Sequence, residues 1–290
     1  MLSLTLVLAG CGPAAPDDLA RPSARATPQD AAAMAAATGA PVASTRAAGP
    51  AAAPVTSGPA ARPSVAAPAT AGGPGNGAGT SGTPAQETPA NDAARLRSLP
   101  ASTTQVVIVQ SAGRTATTAT LQAYARTGGG WRPALPAMTA RLGANGFSDA
   151  KHEGDRTTPA GVFAIDATMY GIAADPGVRY GYHRLTDGDW WDENSDSPGY
   201  NTFSHGDNPG GPSEPLWRIS PQYTHFAVIR YNMPATPGRG SGIFLHQGNG
   251  NSTLGCVSLP QGDLLTILRW LDPAANPRIV MAPTAWLGRY

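Results

Sequence analysis

Apolar positions in this chain gather in its second half, where they form short runs with the character of strands. Gln105-Val-Val-Ile-Val109 is a β-branched run that predicts a buried strand, and the alternation from Thr118 to Ala125 predicts the next. Gly128-Gly129-Gly130 marks a turn before Trp131, and Val162-Phe-Ala-Ile165 follows the turn Thr158-Pro159-Ala160-Gly161. Phe226-Ala-Val-Ile-Arg-Tyr231 and Gly242-Ile-Phe-Leu-His246 predict two further strands, and Arg278-Ile-Val-Met281 a closing one. Helical spacing is found at Leu264, Ile267, Leu268 and Leu271, behind a helix-opening Pro260 and an acidic Asp263 in the first turn. Asp272-Pro273 ends that helix. Between Tyr170 and Tyr223 the chain is rich in Gly, Asp, Pro and aromatics without clear periodicity, which predicts long structured loops of a functional kind. Strands outnumber helices, so the expected fold class is mainly β, with a mainly antiparallel sheet.

Composition divides the chain. From Gly12 to about Arg97 it is mostly Ala, Pro, Gly, Ser and Thr, and every Trp, Tyr and Phe lies at or after Tyr124. Such a segment buries too little apolar surface to offset the entropy of ordering, and is expected to be a disordered linker. The expected organisation is a leader over residues 1–10, a linker over residues 11–97 and one folded domain over residues 98–290. The formal net charge is +1, with no basic run and a single lysine, Lys151, so nucleic acid is not an expected partner. Asp155 and Arg156 are expected to form an ion pair that stabilises a turn.

The two cysteines differ in setting. Cys11 ends an apolar run from Leu2 to Gly10 that is too short to span a bilayer and suits a signal-peptide core. Leu8-Ala9-Gly10-Cys11 resembles a bacterial lipoprotein signal. That resemblance implies lipidation at Cys11, a membrane anchor and an exported protein; an incidental apolar start with a stray cysteine is the competing reading. Pairing Cys11 with a lipid leaves Cys256 without a disulfide partner. It is then either a buried small hydrophobe or a reactive thiol.

The neighbours of Cys256 supply a chemistry. His246 stands at a strand end ten positions earlier, and a glycine-rich loop between them lets the two meet. An imidazole that stabilises a thiolate makes cysteine a nucleophile. Gly255 permits close backbone approach, and its amide with that of Cys256 has the makings of an oxyanion hole. The flanking Val257 and Leu259, and Ile243 and Leu245, equally suit a structural cysteine and a core histidine. His152, His183, His205 and His225 show no ligand spacing with a single thiol, so no metal and no cofactor is expected.

A wider pattern favours the catalytic reading. Gly242-Ile-Phe-Leu-His246 followed by Thr253-Leu-Gly-Cys-Val257, with the upstream Gly154-Asp-Arg-Thr-Thr-Pro-Ala-Gly-Val-Phe163, resembles the YkuD-like L,D-transpeptidase catalytic domain from about Val106 to Ala282. Many members carry histidine before the Gly-Cys and arginine two positions after the cysteine; here Leu254 and Ser258 stand there, as in a subgroup lacking the second histidine. The resemblance implies a β-sandwich or barrel-like fold with a short helix after the cysteine. It implies Cys256 as nucleophile, His246 as base and the backbone carbonyl of Gln247 as its orienting group. The implied substrate is a peptidoglycan stem tetrapeptide, passed through a cysteine acyl-enzyme to an amine, or to water in a carboxypeptidase, by an expected monomer without cofactors. Tyr200, Asn201 and Asn232, with Trp190 and Trp191 nearby, are candidates to shape the substrate groove. Ser204-His205-Gly206 imitates the motif but continues into Asp207, and is set aside. A papain-like peptidase would place cysteine before histidine, the reverse of the order here, while a non-catalytic wall-binding module remains a reading from another class.

Overall fold

The computed structural model describes residues 91–290. Cys11, the expected leader and the expected linker up to residue 90 therefore lie outside the described residues. The folded part reaches back to a 3-10 turn at Asp92–Arg95, upstream of the boundary at residue 98 drawn from composition. Its Ala93 is buried with Val106, Ile108 and Val280, which explains why a small residue suffices to anchor it.

The main sheet is mostly antiparallel. Its strands are β1 (Gln105–Ser111), β2 (Thr118–Thr127), β3 (Gly130–Pro133), β4 (Met138–Arg141), β7 (Gly161–Gly171), β8 (Gly181–Arg184), β12 (Phe226–Ile229), β13 (Phe244–Gln247), β14 (Val257–Leu259) and β15 (Arg278–Pro283). The order runs β1-β15-β7-β12-β13-β14-β4-β2, and β1 pairs again with β2, which closes the sheet on itself. Three of its pairings are parallel: β1 with β15, β13 with β14, and β7 with β8. Eight strands in a ring leave an interior that side chains alone can fill. Val107, Val109, Leu121, Met169, Leu245, Val257 and Ile279 fill it, each from alternate positions of its strand. The intervening Val106, Ile108 and Val280 pack outward under the Leu287 turn, so these strands are buried on both faces. That is why their sequence reads as an unbroken apolar run.

Helix α1 (Gln261–Trp270) follows Pro260, which stands at its N-cap, and sends Leu264, Ile267 and Leu268 into the same interior. Each such side chain contributes on the order of 1.5–3 kcal/mol by leaving water. The stretch from Tyr170 to Tyr223 is more ordered than its sequence suggests. It holds β8 and a small sheet of β10 (Thr202–His205), β9 (Asp189–Asp192) and β11 (Glu214–Pro215), in that order. Strands this short carry no readable alternation. A two-stranded pair, β5 (Phe147–Ser148) with β6 (Thr158–Pro159), completes the set.

The small sheet covers the outer face of the barrel at β12 and β13. There Trp191, Leu216 and Tyr223 pack on Phe226, Val228 and Phe244, with Cys256 in the same cluster. Buried Asp189 fixes the sheet by accepting from His205 Nδ1 at 2.7 Å and His183 Nε2 at 2.9 Å. His205 thus has a structural partner of its own in Asp189.

Candidate active site

His246 and Cys256 meet because two parallel strands bring them together. β13 and β14 pair in the register His246↔Ser258, and Cys256 lies just before β14. The loop between them is tied down through Thr253. Its amide donates to Leu142 O at 2.8 Å, its carbonyl accepts from Ala144 N at 2.9 Å, and its hydroxyl donates to Cys256 O at 2.7 Å. That hydroxyl also accepts from Gly255 N at 3.1 Å. The Gly255 amide, expected to serve an oxyanion, is therefore occupied by Thr253 two residues earlier. Glycine is still needed at Gly255: φ is +149°, and a Cβ there would come within 2.9 Å of Thr157 O.

The thiol and the imidazole are both buried, at 9% and 6% exposure. His246 Nδ1 lies 2.8 Å from Gln247 O. A carbonyl only accepts, so Nδ1 carries the proton and Nε2 keeps a free lone pair. Burial drops the imidazole to a pKa of about 4, with the Gln247 bond opposing the shift. Burial likewise pushes the Cys256 thiol up, and Glu214 adds to the effect. The resting pair is a neutral thiol and a neutral imidazole. The thiol donates to Gly242 O at 3.2 Å and accepts from Phe244 N at 3.3 Å.

Both groups line a small, partly open cavity of about 60 Å³, with Glu214, Tyr223, Leu254 and Ser258 among its other walls. Tyr223 stands edge-on to the His246 ring, centroids 5.7 Å apart, and donates its hydroxyl to Glu214. Burial raises Glu214 to a pKa of about 7, against the bond from Tyr223. Leu254, where a second histidine would stand, is the exposed lip at 47%. Sequence reasoning missed Glu214 and Tyr223. The available signal was an isolated acid in Ser213-Glu-Pro-Leu-Trp217, beside large apolar residues.

A match over most of the described domain gives this geometry its context. The family model for the L,D-transpeptidase catalytic domain, YkuD, fits residues 104–280. The chain belongs to the YkuD family. One similar solved structure is the helical cell shape determining protein Pgp2 from Campylobacter jejuni, at 13% identity and a TM-score of 0.33. The match covers 62% of this chain and 48% of that one, so the chain spans about half the length of that relative. No curated protein matches the chain significantly.

The other residues read from the sequence of this YkuD domain fall elsewhere. Tyr200 is buried and donates to Glu153. Asn201 accepts from Trp191 Nε1 and Gly242 N, and donates to the carbonyls of Tyr231 and Asn232 at 3.0 Å. It ties the small sheet to the residue whose carbonyl holds the thiol. Asn232 donates to Thr236 O and Gly240 O within its own loop, which borders a separate surface pocket. Tyr200, Asn201 and Asn232 do not line the small cavity that holds Cys256 and His246. Trp190 caps the Gly206 carbonyl, and Trp191 packs on Phe244. Asp155 has Lys151 as an ion-pair partner, at 2.9 Å. Lys151 reaches that position because its stem lies along Gly240 and its ammonium beneath Gly255. Among the described residues no cluster of ligating side chains suits a metal, and no helix is long and apolar enough to cross a membrane.

Proposed function

We propose that this domain is a peptidoglycan L,D-transpeptidase in which Cys256 is the nucleophile and His246 the general base. The observation that carries the reading is the shared cavity of the two groups, together with the Gln247 carbonyl that leaves His246 Nε2 unprotonated. The thiol turns from Gly242 O toward Nε2 and attacks the carbonyl of the third residue of a stem tetrapeptide. Nε2 takes the thiol proton as the C–S bond forms. General-base help of this kind is worth about 10²–10⁴ in rate.

The imidazolium then hands its proton to the amine of the terminal D-Ala, the C–N bond breaks, and a thioester remains. Because the resting pair is neutral, proton transfer accompanies attack, whereas papain-type sites begin from an ion pair. With Gly255 N bonded to Thr253, the amide of Cys256 is the donor left for the oxyanion. An amine on a second stem releases the acyl group as a cross-link, and water releases it as a tripeptide, the L,D-carboxypeptidase outcome. The reaction calls on no cofactor. The same proposal puts the domain outside the cytoplasm, tethered by a lipid on Cys11 through the linker; a Cys11→Ala change should then release it from membranes.

Incubation with a disaccharide tetrapeptide tests the proposal. Wild-type protein should release D-Ala and yield a cross-linked dimer lacking one D-Ala, and Cys256→Ala should yield neither. Binding of wall fragments with no release of D-Ala would instead support the non-catalytic wall-binding reading.

A further inference from the structure

A transpeptidase must do two things at one thiol, and the cavity holds more polar groups than the first step uses. Glu214 is the only acidic residue among those lining it. Its backbone is fixed by pairing with Trp191 in the small sheet, and its carboxyl by the Tyr223 hydroxyl. Tyr223 in turn stands edge-on to both His246 and Phe244, so carboxyl, imidazole and thiol are held on one rigid wall. A second observation comes from the strand beside His246. The Ser258 hydroxyl lines the same cavity, is 2% exposed and has no hydrogen-bond partner. Burying a hydroxyl unpaired costs about 1–3 kcal/mol, a penalty that a polar guest in the cavity removes.

Resting on the transpeptidase reading above, we propose that Glu214 receives the ammonium group of the acyl acceptor and takes a proton from it, making this carboxylate the residue that selects amine over water. The step balances. The ammonium gives one proton to the Glu214 carboxylate, and the resulting amine attacks the thioester carbonyl. The C–N bond forms, the C–S bond breaks, and the second proton passes through His246 Nε2 to the departing sulfur. The products are an amide, a neutral thiol and a neutral carboxylic acid.

His246 alone is poorly suited to the first of these transfers. An alkylammonium has a pKa of ~10.4, and the buried imidazole sits far below it at about 4, whereas Glu214 sits nearer at about 7. The neighbouring Glu193 is pushed well up by burial and by the charges of Glu214 and Glu153, and it does not line the cavity. An ammonium arriving in the cavity meets the Glu214 carboxyl as the acid of its lining, and that pairing is what water cannot offer.

The test starts from an acyl-enzyme already formed, on wild type and on Glu214→Gln, and follows its decay with two nucleophiles. N-acetyl-lysine presents a primary ammonium; hydroxylamine is uncharged at neutral pH and has no proton to give up before attack. In Glu214→Gln the ratio of lysine transfer to hydrolysis should fall by roughly tenfold or more, and the hydroxylamine ratio by less than about threefold. Glu214→Asp should recover part of the lysine ratio. Tyr223→Phe keeps the carboxylate but removes its donor, and should move the acid limb of lysine transfer to higher pH. Equal losses with both nucleophiles, or no loss with either, would overturn the assignment of Glu214 alone. Failure of the wild type to form any acyl-enzyme would overturn the transpeptidase reading beneath it.

Discussion

His246 donates from Nδ1 to the carbonyl oxygen of Gln247, its own neighbour in the chain, at 2.8 Å. The bond fixes the tautomer without a carboxylate, and favours the charged ring too little to offset burial. Burial then decides the protonation state, and holds it neutral down to a pKa of about 4. The rate of acylation should therefore stay flat from neutral pH downward and fall only near pH 4. Stopped-flow acylation across pH 3.5–8 checks this, in roughly half-unit steps. An acid limb near 6.5, the ordinary value for histidine, would mean that Nε2 is not buried as described.

Glu214 should be a cost to the fold that function retains. Its folded pKa of about 7 lies above the ordinary 4.5. The stability it allows is fully present below the unfolded value and is lost as pH rises through the folded one. Glu214→Gln should accordingly be more stable than wild type at pH 8, by an amount on the order of 2 kcal/mol, and close to it at pH 4. Thermal unfolding of both proteins at the two values reads the difference. A variant less stable at pH 8 would show that the Tyr223 bond outweighs the burial of charge.

The Lys151–Asp155 pair should behave as a buried ion pair rather than a surface one. Their side chains are 5% and 8% exposed, and Asp155 also accepts from Thr157 N and Oγ1 and from His152 N. Those bonds hold its carboxyl below the usual range despite burial. Lys151→Met removes the ion-pair partner from a buried carboxylate, and should destabilise the domain by about 3–5 kcal/mol. Urea unfolding measures it; a loss within the ~0–1 kcal/mol of a surface pair would contradict the burial.

Gly255→Ala should injure the site more than the fold. The added Cβ would press on Thr157 O, which is backbone and cannot swing away. The residue displaced is the one before Cys256. A shift of about 1 Å at a reacting group can cost about 10² in rate. Acylation should drop on that scale while the far-ultraviolet spectrum stays that of a β protein; full acylation would mean the loop has room that the contacts deny.

The sequence disclosed the barrel and the thiol–imidazole pair for related reasons. Val106 to Val109 read as a strand because both of its faces are buried, and His246 and Cys256 were conspicuous as lone reactive groups beside such strands. The small sheet was not legible. Asp189, Trp190, Trp191 and Asp192 alternate in neither polarity nor size, and buried Asp189 is held there by His183 and His205, which only the fold brings near. Asn201 and Asn232 also have φ angles of +59° and +50°, a left-handed conformation that asparagine tolerates and that no local pattern announces. Glu214 escaped because its meaning lies in a contact with Tyr223 and a shared cavity, neither of which has a local pattern.

The most direct test of the central claim is the intact mass of the purified protein after exposure to a carbapenem, a β-lactam that acylates cysteine nucleophiles of this family. Wild type should gain the mass of one ring-opened carbapenem, with peptide mapping placing it on Cys256. Cys256→Ala should gain nothing, and His246→Ala should gain it far more slowly. An unmodified wild type, or a Cys256→Ala protein that is labelled as fully, would contradict the assignment of this thiol as the nucleophile.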